Sequence, residues 1–258
     1  MLNSSRGAAL RQLQSSAALA LAVGLCAAIL AADLLVERQG LSNPVLWQSL
    51  AVYLAVAAAV RLGLPAHLPQ THFGPANAVT LLRAVLVCLL AGLVAQTSPS
   101  ALGWLVPALA MVVLSLDGLD GFLARQRHCA SAFGARFDQE VDGLFVLVLA
   151  LLVWLDGQAG VWVLISGLWH YAFHLGLLAW PRLRRPLPRR WRRKIVFVLQ
   201  VLLLIAALSP PLQGWPGALA ASLGVVLLTG SFLTDLRWLL RDRSDRLPNS
   251  VERLEARE

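Results

Sequence analysis

The sequence predicts an all-helical integral membrane protein, a polytopic bundle of about eight transmembrane helices, from its composition and its hydropathy pattern. Hydrophobic residues make up 58% of the 258 positions, charged residues only 14%, and the mean hydropathy is +0.68. Soluble domains are roughly half apolar and a quarter charged, so a soluble enzyme, a disordered protein and a secreted disulfide scaffold are excluded. A membrane-spanning helix needs about 20 largely apolar residues, and the chain has room for about eight with short loops.

The apolar stretches are separated by short segments rich in Pro, Gly and Arg. Two apolar stretches lie near residues 15–35 and 45–60, and the second is followed by a loop that contains three prolines. A basic start before an apolar run is also typical of a signal peptide, but this run is long for one, which favours an uncleaved helix. The other six spans are predicted at residues 76–96, 101–124, 137–155, 160–180, 195–210 and 215–235. The chain thus divides into two additional N-terminal helices with their loop, a six-helix core and a polar tail, at residues 1–70, 71–240 and 241–258.

The distribution of basic residues predicts the orientation of the spans. With the N-terminus inside, all but two of the 22 Lys and Arg residues fall in cytoplasmic segments, and the exceptions are Arg38 and Arg83. Because cytoplasmic loops are enriched in Lys and Arg, both termini are expected in the cytoplasm. The net charge of +8 is then explained by topology and by anionic lipid headgroups, with no nucleic-acid partner. A phosphate on a substrate is a second explanation for the arginine-rich residues 182–194.

Four aspartates near the cytoplasmic ends of the fourth and fifth spans form the candidate active site. Asp117 and Asp120 are three residues apart, and Asp138 and Asp142 are four apart, so each pair lies on one face of its helix. The two helices are antiparallel neighbours, so all four carboxylates are expected to converge. Such a group needs cations, and its oxygen ligands select Mg²⁺, Mn²⁺ or Ca²⁺. An alternative is that these aspartates only pair with nearby arginines at a hydrated helix interface. One or two acids would fit that explanation, but four acids at these spacings disfavour it.

Glycines and an arginine accompany the aspartates. A glycine on a helix face lets a second backbone or a ligand approach closely, and Arg125 can donate paired hydrogen bonds to phosphate oxygens. The segment DGLDGFLARQRHCASAFGARFDQEVD resembles the signature of the CDP-alcohol phosphatidyltransferase family, D-x-x-D-G-x-x-A-R, then eight residues, then G-x-x-x-D-x-x-x-D. Every fixed position of this long pattern is matched, by Asp117, Asp120, Gly121, Ala124, Arg125, Gly134, Asp138 and Asp142.

The resemblance implies an enzyme that transfers a phosphatidyl-type group from a CDP-linked lipid to an alcohol acceptor and releases CMP, with two divalent ions, Mg²⁺ or Mn²⁺, as cofactors. It implies that Asp117 and Asp138 bridge both ions, that Asp120 holds the first and that Asp142 holds the second. Asp142 is also the implied catalytic base on the acceptor hydroxyl. The residues implied to bind the CDP-lipid are Gly121, Ala124, Arg125, Gly134 and the loop hydroxyl of Ser131.

The third span begins with NAVTLLR, and similar N-x-x-T-x-x-R starts occur in the family and face the nucleotide. Asn77 and Thr80 are polar at i,i+3 in an otherwise apolar helix. Two explanations are supported about equally, namely contact with the CDP-lipid, or helix capping and hydrogen bonds between helices.

Two other functions compete with this interpretation. A membrane prenyltransferase also uses aspartates and Mg²⁺, but it carries two separated aspartate-rich motifs. A cation transporter, which is not an enzyme, would place acids near mid-span beside broken helices.

The predicted location is a bacterial-type cytoplasmic membrane, with the site on its cytoplasmic side. Relatives use glycerol 3-phosphate, an inositol phosphate, serine or choline as acceptor, and homodimers are common among them, although no residue pattern here selects an acceptor or indicates a dimer.

Overall fold

The regular elements of the computed structural model are all helical. It describes residues 2–94, 102–126, 131–169, 171–172 and 191–241. Within these ranges the long helices are α1 (Leu2–Gln39), α2 (Pro44–Gly63), α3 (Pro75–Leu93), α4 (Leu105–Gln126), α5 (Ala132–Leu155), α6 (Trp191–Ala207) and α7 (Trp215–Arg241). The all-helical prediction is therefore confirmed for the described part of the chain.

Several helices are long and apolar enough to cross a membrane. Among the described residues four segments meet this condition by length and composition, namely Gly7–Gln39, Pro44–His67, Pro75–Leu93 and Trp215–Arg237. The apolar part of α4, Leu105–Gly118, is shorter. Helix α5 has 24 residues, but three acids lie in its first half. The chain thus has the helices of an integral membrane protein.

The observed helix ends differ from the predicted ones where local capping decides them. Helix α1 begins at Leu2 rather than near residue 15. The polar residues before the apolar run contain no proline and a single glycine, Gly7, so the helix extends through them. It ends at Gly40, which has a φ of +62°, and the N–H of Leu41 donates to the carbonyl of Val36 at 3.0 Å. This is the left-handed C-terminal motif in which glycine is favoured. Helix α5 ends in the same way, with Gly157 at a φ of +74°.

Two predicted segments are only partly described. The loop after the second span contains a 3₁₀ turn, Leu64–His67, which follows directly on α2. The predicted sixth span begins with a 3₁₀ turn, Val161–Leu164, and is helical at residues 165–169 and 171–172. The rest of that span lies outside the described residues.

Helix α3 occupies the centre of the bundle. It contacts α1, α2, α4 and α5, while α6 pairs with α7 and also touches α4 and α5. Most of α3 is buried, whereas α1, α2 and α7 expose long apolar faces with residues such as Leu30, Leu54 and Val226. Apolar side chains on the outside of a bundle are suited to contact with lipid hydrocarbon.

The two N-terminal helices pack tightly against each other and against α3. The hydroxyl of Tyr53 in α2 donates to the carbonyl of Leu21 in α1 at 2.6 Å. A Cβ added to Gly92 in α3 would overlap Ser49 Oγ and would lie 2.6 Å from the carbonyl oxygen of Val45. Glycine at position 92 therefore permits the close approach of α2 and α3.

We predict that Gly92→Ala destabilises the protein, because the added methyl group forces α2 away from α3. Overpacking a well-packed interior typically costs about 1–3 kcal/mol. Thermal unfolding of the purified protein in detergent, followed by tryptophan fluorescence, measures the change. Gly230→Ala in α7 is the matched control, since in the described part of the chain no atom beyond its own turns of helix backbone lies within 4 Å of the added Cβ. A melting temperature equal to the wild type for Gly92→Ala would contradict the observed packing.

Candidate metal centre and active site

Helices α4 and α5 bring three of the predicted aspartates together. Asp117 lies in the second half of α4, and Asp138 and Asp142 lie in the first turns of α5. One carboxylate oxygen from each of the three lies within 4.8 Å of the others. Asp120 follows Asp117 by one turn in α4, and its side chain is outside the described part. The structure thus brings Asp117 of α4 to the same point as Asp138 and Asp142 of α5.

An arginine from α3 lies between these carboxylates. Arg83 is 1% exposed, its Nη1 is 2.5 Å from Asp138 Oδ1, and its Nη2 is 3.0 Å from Asp117 Oδ1 and also contacts Asp142 Oδ1. The sequence placed Arg83 in the charge pattern and at the end of the NAVTLLR motif, but its contacts with the aspartates were not predicted. The available signal was an arginine inside an apolar span, which is by default a functional residue.

The aspartate group fits divalent cations. Three carboxylates surround one guanidinium, so the group gathers more acidic side chains than Arg83 alone can pair with as single charges. Its donors are all oxygens, which Mg²⁺ and Mn²⁺ prefer. The side chains of Asp138 and Asp142 are 39% and 23% exposed, so the group is open on one side.

The start of α3 lies against the start of α5. Asn77 is buried and donates from Nδ2 to the carbonyl of Phe73, and Thr80 Oγ1 donates to the carbonyl of Ala76 at 3.1 Å. A Cβ on Gly134 would lie 2.8 Å from Asn77 Oδ1. Gly134 therefore permits the approach of α5 to α3, and Asn77 and Thr80 make hydrogen bonds within and just before their own helix.

Ser131 is the N-cap of α5 and is held by a histidine from the N-terminal region. Its Oγ accepts from the N–H of Gly134 at 2.9 Å and lies 2.7 Å from His67 Nδ1. His67 Nε2 lies 3.0 Å from the carbonyl oxygen of His72, which assigns the ring proton to Nε2. In the neutral ring Nδ1 then accepts from the hydroxyl of Ser131. No sequence pattern signals this contact, because His67 precedes Ser131 by 64 residues.

The remaining predicted CDP-lipid residues lie in the last turns of α4. The backbone of Gly121, Ala124 and Arg125 is helical there. Their side chains are outside the described part, as is the link at residues 127–130 between α4 and Ser131.

A cavity of about 310 Å³ adjoins the aspartates on the other side of α5. It lies between α5, α6 and α7 and includes Asp142 in its wall. Near the start of α6, Arg193 Nε donates to Asp235 Oδ2 at 2.7 Å, and Arg192 Nη2 donates to Asp235 Oδ1 at 2.7 Å. Arg193, Asp235 and Asp142 are the charged residues of the wall. Its apolar residues are Val146, Val196, Phe197, Leu228 and Phe232, and its uncharged polar residues are Gln139, Ser166, Gln200 and Ser231.

Comparison with known proteins agrees with the sequence resemblance. The model of the CDP-alcohol phosphatidyltransferase family matches residues 73–229, more than half of the chain, while no curated protein and no solved structure gives a significant match. The matched range begins just before α3, includes Arg83 and the converged aspartates, and leaves out the first two helices. The chain therefore belongs to the CDP-alcohol phosphatidyltransferase family.

Proposed function

We propose that the protein is a CDP-alcohol phosphotransferase of phospholipid synthesis. It transfers a phosphatidyl-type group from a CDP-linked lipid to an alcohol acceptor and releases CMP. The observation that carries this proposal is the convergence of Asp117, Asp138 and Asp142 within 4.8 Å in a chain of this family. The prenyltransferase and transporter alternatives lose support, because the family match includes the whole aspartate motif.

The aspartates would hold two divalent ions, Mg²⁺ or Mn²⁺, with Asp117 and Asp138 shared and with Asp120 and Asp142 at either side. When bound, the ions would stabilise the negative charge on the diphosphate and on the transferred phosphoryl group. Arg83 orients three of the carboxylates, since its planar guanidinium contacts one oxygen of each.

Asp142 is proposed as the catalytic base, because it belongs both to the aspartate group and to the wall of the adjoining cavity. An acceptor in this cavity would place its hydroxyl beside the Asp142 carboxylate. The acceptor oxygen forms a bond to the phosphorus that carries the lipid, and the bond from that phosphorus to the CMP oxygen breaks. The hydroxyl proton passes to Asp142, and CMP leaves with the electron pair.

The CDP part of the donor is proposed to bind on the opposite side, where α3, α4 and α5 begin or end. Asn77 and Thr80 on α3 adjoin Gly134 on α5, and this contact supports a common surface. The side chain of Ser131 is engaged by His67 and Gly134, so its proposed part is to fix the start of α5. The α4 residues assigned to this surface by the family motif are Gly121, Ala124 and Arg125.

The proposed topology has eight spans with both termini in the cytoplasm of a bacterial-type cell. Residues 71–240 form the catalytic core, residues 1–70 add two helices, and residues 241–258 form a cytoplasmic tail. The distribution of Lys and Arg supports this arrangement, and it places the aspartate group on the cytoplasmic side.

We predict that chelation abolishes CMP release and that Mg²⁺ or Mn²⁺ restores it, because three carboxylate oxygens converge within 4.8 Å and oxygen ligands are those that these ions prefer. The assay measures CMP released from radiolabelled CDP-diacylglycerol with a panel of acceptors. A second readout is the melting temperature, which should rise on addition of Mg²⁺ to the chelated wild type. Full turnover in chelator would contradict the proposed cofactors.

We predict that Asp142→Asn separates donor binding from chemistry. Removal of a general base typically lowers the rate about 10²–10⁴-fold, while the shape and most of the ion site persist. CMP release should therefore nearly vanish, with CDP-lipid binding retained. Asp117→Asn should lose both, since Asp117 is proposed to be shared by the two ions.

Glu140→Gln is the matched control for these substitutions. Glu140 lies on α5 between Asp138 and Asp142 but is exposed and outside the aspartate group. It should turn over like the wild type. If Asp142→Asn also retained activity within a few-fold, the base would have to be reassigned, and Glu140 would become the next candidate.

We predict that cysteines introduced at positions 128 and 250, in a chain without the native cysteines, resist a membrane-impermeant thiol reagent in intact cells. Cysteines at positions 98 and 212 should be labelled, because the charge pattern places these loops outside. Permeabilised cells provide the control that all four positions are reactive. The reverse labelling pattern would invert the proposed topology.

A further inference from the structure

A histidine that precedes the range of the family match is buried against the start of α5. His67 is 2% exposed, its Nδ1 lies 2.7 Å from Ser131 Oγ, and its Nε2 lies 3.0 Å from the carbonyl oxygen of His72. Its ring also packs edge-on against Phe133, with the ring centroids 5.4 Å apart. Because both ring nitrogens are bonded and the ring is packed, the orientation of the imidazole is fixed.

The hydroxyl of Ser131 connects this histidine to the backbone of α5. The N–H of Gly134, in the first turn of α5, donates to Ser131 Oγ at 2.9 Å, which is the usual bond of a helix N-cap. With the ring proton of His67 on Nε2, the single hydroxyl proton of Ser131 is donated to Nδ1. The histidine therefore fixes the rotation of the hydroxyl, and with it the direction of the lone pair that caps α5.

The first turn of α5 is the part of the helix that depends on this cap. It carries Gly134, where an added Cβ would lie 2.8 Å from Asn77 Oδ1, so α5 is in close contact with α3 at this turn. Asp138 and Asp142 lie one and two turns further along α5 and are held by Arg83 of α3. Helix ends fray while the following turns stay formed, so a weaker cap would displace Gly134 and leave the aspartates in place.

We infer, on the basis of the proposed function, that His67 is a positioning residue for the CDP-linked lipid. The turn that it steadies through Ser131 adjoins Asn77, on the side of the site where the CDP part of the donor is proposed to bind. The segment that precedes the family core thus contributes to the affinity for the donor, while the aspartates are positioned by Arg83.

Two substitutions of His67 separate the two hydrogen bonds of its ring. In His67→Asn the amide oxygen can take the place of Nδ1 and accept from the hydroxyl of Ser131, while the bond to the carbonyl of His72 is lost. In His67→Gln the amide nitrogen can take the place of Nε2 and donate to the carbonyl of His72, while the acceptor for Ser131 is lost. The two variants therefore distinguish the contact with α5 from the contact within the N-terminal region.

The test measures CMP release by the purified full chain from CDP-diacylglycerol, with whichever acceptor the wild type uses best among glycerol 3-phosphate, inositol phosphate, serine and choline. We expect His67→Gln to raise the KM for CDP-diacylglycerol about 5–30-fold, which corresponds to the loss of a helix cap. Its kcat and its KM for the acceptor should stay within about twofold of the wild type, and all three constants should do so in His67→Asn. A loss of stability alone would lower the fraction of active enzyme and leave the KM for the donor unchanged, so this KM separates positioning from a merely structural role.

Ser131→Ala and its combination with His67→Gln complete a double-mutant cycle. Because His67 acts through Ser131, the double variant should raise the KM for the donor no more than Ser131→Ala does alone, whereas independent effects would multiply. His72→Gln is the matched control, since the side chain of His72 is exposed and its backbone carbonyl is the group that bonds His67. It should leave the melting temperature and the kinetic constants as in the wild type.

Several results would overturn the inference. They are a lower melting temperature in His67→Gln with an unchanged KM for the donor, an equal rise in the KM values for donor and acceptor, an equal effect of His67→Asn and His67→Gln, or effects that multiply in the double variant. If His67→Gln does not fold, Ser131→Ala decides, and a KM for the donor equal to that of the wild type counts against the inference. A folded wild type that releases no CMP from any CDP-alcohol with any acceptor refutes the proposed function itself, and the inference with it.

Discussion

The ion pairs between Arg83 and three aspartates determine how the central helices of this protein are arranged. Arg83 comes from α3, Asp117 from α4, and Asp138 and Asp142 from α5, so one buried guanidinium fixes three helices relative to one another. A buried charge without a partner is strongly destabilising, so α3 can occupy the centre of the bundle only while α4 and α5 present their acids to it. The same contact that orders the helices also gathers three carboxylates, whose oxygens are the ligands that the proposed cations need.

The N-terminal region reaches this centre through a different set of contacts. His67, which follows α2, bonds the Ser131 cap of α5, and its ring packs edge-on against Phe133 at 5.4 Å. The N–H of Phe73 donates to Ser16 Oγ in α1 at 3.2 Å. Helices outside the family match therefore support the first turn of the helix that carries Asp138 and Asp142. This gives the two additional helices a structural role in positioning α5, separate from their proposed function as membrane spans.

The sequence predicted the features that depend on the spacing of nearby residues. It did not predict the contacts that form only when helices distant in the chain pack together. The i,i+3 and i,i+4 spacings placed Asp117, Asp138 and Asp142 on converging faces, and apolar runs located the helices. The role of Arg83 was missed, since it precedes Asp138 by 55 residues and its partners are defined only when α3 lies between α4 and α5.

The periodicity of α5 explains why Asp142 differs from Asp138. Asp138 and Asp142 are four residues apart and face α3 and α4 through Arg83. Gln139, Asp142, Gly143 and Val146 follow the i, i+3, i+4, i+7 pattern of a second stripe, which lines the cavity towards α6 and α7. Asp142 belongs both to this stripe and to the face of α5 that contacts Arg83, whereas Asp138 belongs only to the face that contacts Arg83. Asp142 therefore adjoins both the group of aspartates and the cavity, and this double contact supports its proposed assignment as the base.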